Sequence, residues 1–244
     1  MKPPTKERDR SHFFAADFES DGKKHLLLCA SGSVATIKIP EILQSLSKHS
    51  NLSIRLVFTK AALHFLNYSS NEGFHLGIFE SIPNVDGIFL DNDEWNQPWN
   101  QGGILHIELR RWADIMLIAP LSANTLAKIV AGMADNLLTS VVRAWDTEGL
   151  IQNSGERKRI IVAPAMNTAM WNHPITKVQL KVLGHDWAIS EKNDIDMDIN
   201  KGTCHGWFEL LMPVEKKLAC GDIGIGAMCE WRDIVKIVEK RLRL

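Results

Sequence analysis

The run from Leu105 to Asp146, LHIELRRWADIMLIAPLSANTLAKIVAGMADNLLTSVVRAWD, constrains the fold more than any other part of the chain. Its middle, Ala113 to Pro120, is a short uninterrupted apolar run. That is the pattern of a strand covered on both faces, as in a parallel sheet flanked by helices. The run breaks at Pro120, and Ser122, Ala123, Asn124 and Thr125 precede the next helical pattern. A buried strand opening through Ser-Ala-Asn-Thr onto a helix gathers hydroxyls, an amide and unpaired N–H donors at one spot. The positive end of the helix dipole suits that spot to a phosphate. Just upstream stands His106, the residue type whose charge changes near neutral pH; taken alone, it reads as a helix-start residue on a soluble surface.

The same strand-then-turn unit recurs along the chain. His25 to Ala30 reads as the first buried strand, Ser31-Gly32-Ser33 as a turn of small residues, and Val34 onward as a helix. Ser53 to Thr59 is a second strand, followed by Lys60 and a helix over Ala61 to Leu66. Asn67 to Gly103 is weakly patterned and is expected to form short strands and loop on the rim. The helix from about Thr125 is expected to break near Gly132, with a second starting at Asp135-Asn136. Arg159 to Ala163 is a fourth strand ending in Pro-Ala-Met-Asn, which presents Asn167 at its carboxyl end. A helix over Pro174 to Leu183 and a fifth strand over Trp187 to Ser190 follow. Asp233 to Arg243 closes the chain as an amphipathic helix.

Strands alternating with helices predict one α/β domain, a doubly wound, Rossmann-like parallel sheet. A length of 244 residues is enough to bury a sizeable core. Met1 to Gly22 is polar and reads as a disordered arm, without the apolar segment of a secretory signal. Net charge is -1 with Lys and Arg scattered, so neither a nucleic-acid surface nor a membrane anchor is indicated. Four cysteines at uneven spacing make no disulfide framework, which suits a reducing cytoplasmic or nuclear setting.

In a parallel sheet the strands' carboxyl ends share one edge, where ligands bind. Ser31-Gly32-Ser33, Thr59-Lys60, Ser122 to Thr125 and Ala165-Met166-Asn167 all fall there. Singly, each Ser or Thr reads as an N-cap; together they point to a phosphate-bearing ligand. The turn is not G-x-G-x-x-G, and no acidic residue ends the second strand, which argues against a nicotinamide dinucleotide. Lys192 to Gly206 reads as an inserted polar loop, and Gly221, Gly224 and Gly226 mark a flexible flap. Cys220 in that flap reads either as a small hydrophobe or as a reactive thiol beside Lys216 and Lys217. Cys204, His205, Cys220 and Cys229 match no common zinc spacing, and no metal is assigned.

Five stretches together, LHIELRRWAD, APLSANTLAKI, DNLLT, PAMNTAMW and LACGDIGIGAM, resemble the flavin-dependent cysteine decarboxylases. Within these the likeness is to the branch acting on 4'-phosphopantothenoylcysteine in coenzyme A synthesis, which includes the plant and fungal halotolerance proteins. The resemblance runs from about Lys24 to Trp231. It implies FMN as the ligand, held by Ser31, Gly32, Ser33, Thr59, Lys60, Ser122, Ala123, Asn124, Thr125 and Ala165. It implies His106 as the catalytic histidine, Asn167 as the amide on the substrate carboxylate, and Cys220 as the proton donor. Met170, Lys217, Leu218 and Ala219 would contact substrate, the last three from a clamp over residues 215–230. It also implies a homotrimer with active sites between subunits.

The implied reaction oxidises the substrate to a thioaldehyde, loses CO2 and re-reduces the resulting enethiol. A cysteinyl carboxylate has no electron sink of its own, and a flavin supplies one reversibly. The alternatives are a regulatory subunit of a Ser/Thr phosphatase and a peptidyl-cysteine decarboxylase. Regulatory relatives are expected to lack a catalytic residue or to carry an acidic tail; here His106, Asn167 and Cys220 occur together and the sequence ends Lys-Arg-Leu-Arg-Leu.

Overall fold

The apolar runs are buried on both faces. The computed structural model describes residues 13–69, 76–96, 103–151, 157–189, 206–217 and 223–244. Strand β1 (Lys24–Ala30) passes through a 3-10 turn (Val34–Lys38) into helix α1 (Ile39–Leu46). Strand β2 (Leu52–Phe58) leads to α2 (Lys60–Ser69), the single turn α3 (Gly77–Glu80) and strand β3 (Val85–Leu90). A 3-10 turn over Asp91–Trp95 precedes α4 (Leu105–Trp112), and β4 (Ile115–Leu121) leads to α5 (Ala123–Val130) and α6 (Leu137–Arg143). After β5 (Arg159–Pro164) come α7 (Thr168–Asn172), α8 (Pro174–Lys181) and β6 (Phe208–Leu210). A hairpin of β7 (Val214–Lys217) and β8 (Ile223–Ala227) and the helix α9 (Trp231–Leu242) complete the chain.

The six-stranded sheet has the order β3-β2-β1-β4-β5-β6, and every pairing in it is parallel. The strand order reverses between β1 and β4, which places the ligand crevice at their carboxyl ends. Alternation along the strands feeds two cores. Leu26, Leu28 and Ala30 pack with Ile42, Leu43, Ile234 and Val238 under α1 and α9. Leu27 and Cys29 pack with Leu109, Met116, Leu126 and Leu138 under α4, α5 and α6.

Pro120 does not end its strand. The register between β4 and β5 shifts between Ile118 and Leu121, and pairing with β1 is last seen at Ile118. The missing N–H of Pro120 therefore falls where the ladder asks for none. Its carbonyl accepts the backbone N–H of Ser31 at 3.1 Å.

Two expectations are corrected. Of the arm expected to be disordered over residues 1–22, residues 1–12 lie outside the described residues, and the remainder is packed from Phe13 to Phe18. Ala15–Phe18 is a 3-10 turn, and Phe13 is buried in the second core. Two contacts hold it: Arg55 Nη1 donates to the Phe13 carbonyl at 3.1 Å, and Ala15 N–H donates to Glu108 Oε2 at 2.8 Å. The fifth strand expected at Trp187–Ser190 is a single parallel bridge, Ala188 to Phe208. Phe208–Leu210 is the strand at that edge, pairing with β5, while Trp187 stacks on Trp207 at 5.5 Å. Leu183 falls in a π turn over Val182–Asp186 that follows α8. No helix among the described residues is long and apolar enough to cross a membrane.

Candidate active site

The crevice at the β1/β4 switch point is built from hydroxyls. Ser31 is buried; its Oγ lies 3.0 Å from the Pro120 carbonyl and 3.2 Å from Ser122 Oγ. The backbone N–H of Ser122 donates to Ser31 Oγ at 2.8 Å. Ser122 caps α5 by accepting the Thr125 N–H, and its hydroxyl lies 3.2 Å from that of Thr125. Ala123 and Asn124 form the first turn of α5, and their backbone N–H groups take no partner among the described residues. Open N–H donors at a helix start are a ready anion site.

The neighbouring loops complete that edge. Ser33 caps the 3-10 turn by accepting the Ala35 N–H. Thr59, buried after β2, accepts the Ala62 N–H at 3.2 Å, and Lys60 opens α2, exposed. Gly32 sits against α2 so closely that a Cβ there would meet the Ala61 Cβ at 2.6 Å. Glycine is required at this position for contact between the two loops rather than for an unusual φ.

After β5, Ala165 is buried and Asn167 caps α7, its Oδ1 accepting the Met170 N–H at 2.8 Å. That bond leaves the Nδ2 hydrogens of Asn167 for a ligand. Met170 is half exposed beside it. The β7–β8 hairpin is docked onto this loop: the Met166 N–H donates to the Gly226 carbonyl at 3.0 Å. A Cβ at Gly224 would lie 2.6 Å from Thr168 Oγ1. Lys216, one of the two lysines beside Cys220 in sequence, forms an ion pair with Glu230. Lys217 ends β7; Leu218, Ala219, Cys220, Gly221 and the insertion expected at 192–206, except Gly206, lie outside the described residues. Burial pushes the Cys29 thiol well above its ordinary value. Burial, with the Asp233 and Glu230 carboxylates, pushes Cys229 up as well. Neither suits thiolate chemistry at neutral pH.

His106 occupies the second position of α4. Because α4 leads directly into β4, its start lies at the edge where β4 ends. Glu94, which sequence reasoning did not single out, meets it there from the turn after β3. Glu94 Oε1 lies 2.6 Å from His106 Nδ1, and Glu94 Oε2 accepts the His106 backbone N–H at 3.1 Å. Among the described residues no hydrogen bond or ion pair joins His106 to Ser31, Ser122 or Asn167. The crevice and the histidine form distinct hydrogen-bonded groups among the described residues.

Residues 15–243 match the family described as Flavoprotein. A rice protein named phosphopantothenoylcysteine decarboxylase is 43% identical over 216 residues, covering 88% of this chain and 79% of that protein. A fission yeast protein named probable thymidylate synthase is 39% identical over 227 residues, covering 92% of this chain, which spans only 30% of that longer protein. A solved structure titled as a PPC decarboxylase complexed with pantothenoylaminoethenethiol superposes with a TM-score of 0.66 at 38% identity, covering 91% of this chain and 100% of that one. The structure titled the FMN binding protein AtHal3 gives 0.63 at 38% identity, covering 90% and 96%.

Proposed function

The chain belongs to the flavoprotein family, and from that membership we propose that it decarboxylates 4'-phosphopantothenoylcysteine to 4'-phosphopantetheine in coenzyme A biosynthesis, with FMN as cofactor. One observation carries the assignment. A crevice of hydroxyl and N–H donors adjoins a strand end that offers the free amide hydrogens of Asn167, in a chain 43% identical to a protein named for this activity.

The residues present suit FMN. The loops Ser31 to Ser33, Thr59-Lys60 and Ser122 to Thr125 contain no acidic side chain. Open N–H groups at the start of α5 and the Ser31–Ser122–Thr125 hydroxyls can accommodate a phosphate without buried repulsion. Lys60, exposed beside them, adds a positive charge. When bound, FMN supplies a reversible two-electron sink.

Asn167 binds the substrate carboxylate through Nδ2. A neutral amide orients the carboxylate without stabilising the charge that must leave as CO2, whereas a cation would hold it. His106 acts at the substrate thiol as base or positioner through its free ring nitrogen. Cys220 protonates carbon after CO2 is lost, and the β7–β8 hairpin is the clamp that carries it. Met170, Lys217, Leu218 and Ala219 line the substrate.

The assembly we infer is a homotrimer whose sites form between subunits. In support of it, His106 and Asn167 share no hydrogen bond among the described residues. So does an apolar patch beside Asn167, where Met170, Ile175 and Val178 are 50%, 50% and 58% exposed. A cytoplasmic location follows from the need to keep Cys220 reduced.

Asn167→Asp tests the assignment. The substitution keeps size and cap but sets a negative charge against the substrate carboxylate. It should retain FMN and lose turnover of 4'-phosphopantothenoylcysteine. Undiminished turnover would remove Asn167 from the site.

A further inference from the structure

We propose that Glu94 is the positioning residue for His106, holding the ring in the tautomer that carries its proton on Nδ1 and leaving Nε2 as the open lone-pair nitrogen.

Three carboxylates stand in the turn Asp91–Trp95, and each has a specific task. Asp91 Oδ1 accepts the Leu137 N–H at the start of α6. Asp93 Oδ2 accepts the Leu90 N–H and closes its own turn. Glu94 reaches across to α4, whose N-cap residue Ile104 supplies no side-chain acceptor. Its two oxygens take two donors of one residue: Oε2 the backbone N–H of His106 and Oε1 the ring Nδ1. Gripping backbone and ring together fixes the imidazole relative to the helix axis, which neither contact does alone. The Glu94 side chain is 9% exposed and that of His106 25%, so the pair is shielded on the carboxylate side and open on the other.

A carboxylate only accepts, so Nδ1 must donate, and in the neutral ring Nε2 is then the acceptor. The remaining nitrogen can take or return a proton at a ligand, with its direction set by the grip on Nδ1. A simple helix cap would need only the Oε2 contact; the 2.6 Å ring contact is the addition that points to chemistry.

The role of Glu94 in turnover rests on the function proposed above, whereas the tautomer can be read independently. The test is a long-range nitrogen–proton correlation spectrum of histidine-labelled protein, with and without FMN, the His106 signals being identified by their loss in His106→Asn. With the spectrum taken on the neutral ring, wild type should show a protonated Nδ1 and a bare Nε2. In Glu94→Gln the amide can donate to Nδ1, and the proton should move to Nε2 or divide between the two. Decarboxylation should then fall by ~10²-fold in kcat, the scale of a lost acid–base group, with KM little changed. Glu94→Asp, shorter by one methylene, should recover part of both signatures. A wild-type ring protonated on Nε2 would overturn the proposal. So would Glu94→Gln with the wild-type tautomer, whatever its rate. Wild type showing the Nδ1–H ring but no turnover would instead reject the proposed substrate and leave the pairing intact.

Discussion

Ser31 and Ser122, separated by 91 residues in sequence, meet at the sheet's switch point with their hydroxyl oxygens 3.2 Å apart. The Ser122 backbone N–H is bonded to Ser31 Oγ at 2.8 Å. The contact ties the end of β1 to the end of β4 and sets the width of the crevice between them. Ser31→Ala would leave the Ser122 N–H without its acceptor in a buried setting, a loss of about 1–3 kcal/mol. The expected outcome is a lower urea midpoint and weaker FMN binding, read by flavin fluorescence. Unchanged FMN affinity would place the cofactor elsewhere.

Gly32 and Ala61 test the packing of the first two loops. A Cβ at Gly32 would lie 2.6 Å from the Ala61 Cβ, and neither group can rotate away. Gly32→Ala should destabilise the protein by about 1–3 kcal/mol through overpacking. Adding Ala61→Gly should recover most of that loss, because the clash needs both methyls. A double mutant no better than the single would show that the strain lies elsewhere.

Gly226 pins the β7–β8 hairpin. It has φ +137°, and a Cβ there would approach the Met166 carbonyl oxygen to 2.5 Å. Gly226→Ala should cost about 1–3 kcal/mol of local strain and free the hairpin from the Asn167 loop. Amide exchange should rise at Met166 and along β8, with FMN binding retained and decarboxylation reduced. Equal exchange in both proteins would deny the latch.

Glu209 anchors the far edge of the sheet. Arg159 Nη1 donates to its Oε2 at 2.8 Å, and Arg241 Nη2 donates to its Oε1 at 2.7 Å. Burial alone would raise its pKa, yet the hydrogen bonds and charge of Arg241 and Arg159 outweigh burial and hold the carboxyl below its ordinary value. A depressed folded-state pKa adds stability that is fully present above the unfolded value, ~4.3. That stability is lost as pH falls through the folded value. Glu209→Gln should therefore cost about 2 kcal/mol at pH 7, and the gap from wild type should close as the pH is lowered below 4. A gap constant with pH would remove the ionic contribution.

How much of this was legible in sequence depended on the length scale of each signal. Strands buried on both faces, such as Leu26 to Ala30 and Ile115 to Leu121, read directly as apolar runs, and Gly132 closes α5 with φ +72°. Ser31, Ser122 and Asn167 could be placed on one edge because parallel topology alone puts them there. The edge strands carried weaker signals: β3 contains Asp86 and Gly87, and β6 has three residues. Trp187 imitated a strand because it is apolar, while it in fact stacks on Trp207. The packing of the segment from Phe13 to Phe18 was hidden by the polar composition around those two rings. Phe18 lies over the Arg55 guanidinium, 4.5 Å from the ring centroid, with Trp112 at 4.3 Å. Glu94 was invisible for a similar reason. Among Asp91, Asp93 and Glu94, only three-dimensional contact shows which carboxylate reaches His106.

The most direct measurement is turnover by the purified chain. We would load it with FMN, add 4'-phosphopantothenoylcysteine and follow CO2 loss by mass spectrometry beside Cys220→Ser. Wild type should convert the substrate to 4'-phosphopantetheine, while the mutant accumulates the decarboxylated, still-oxidised enethiol. Full flavin occupancy with no loss of CO2 from the wild-type protein would contradict the assigned function.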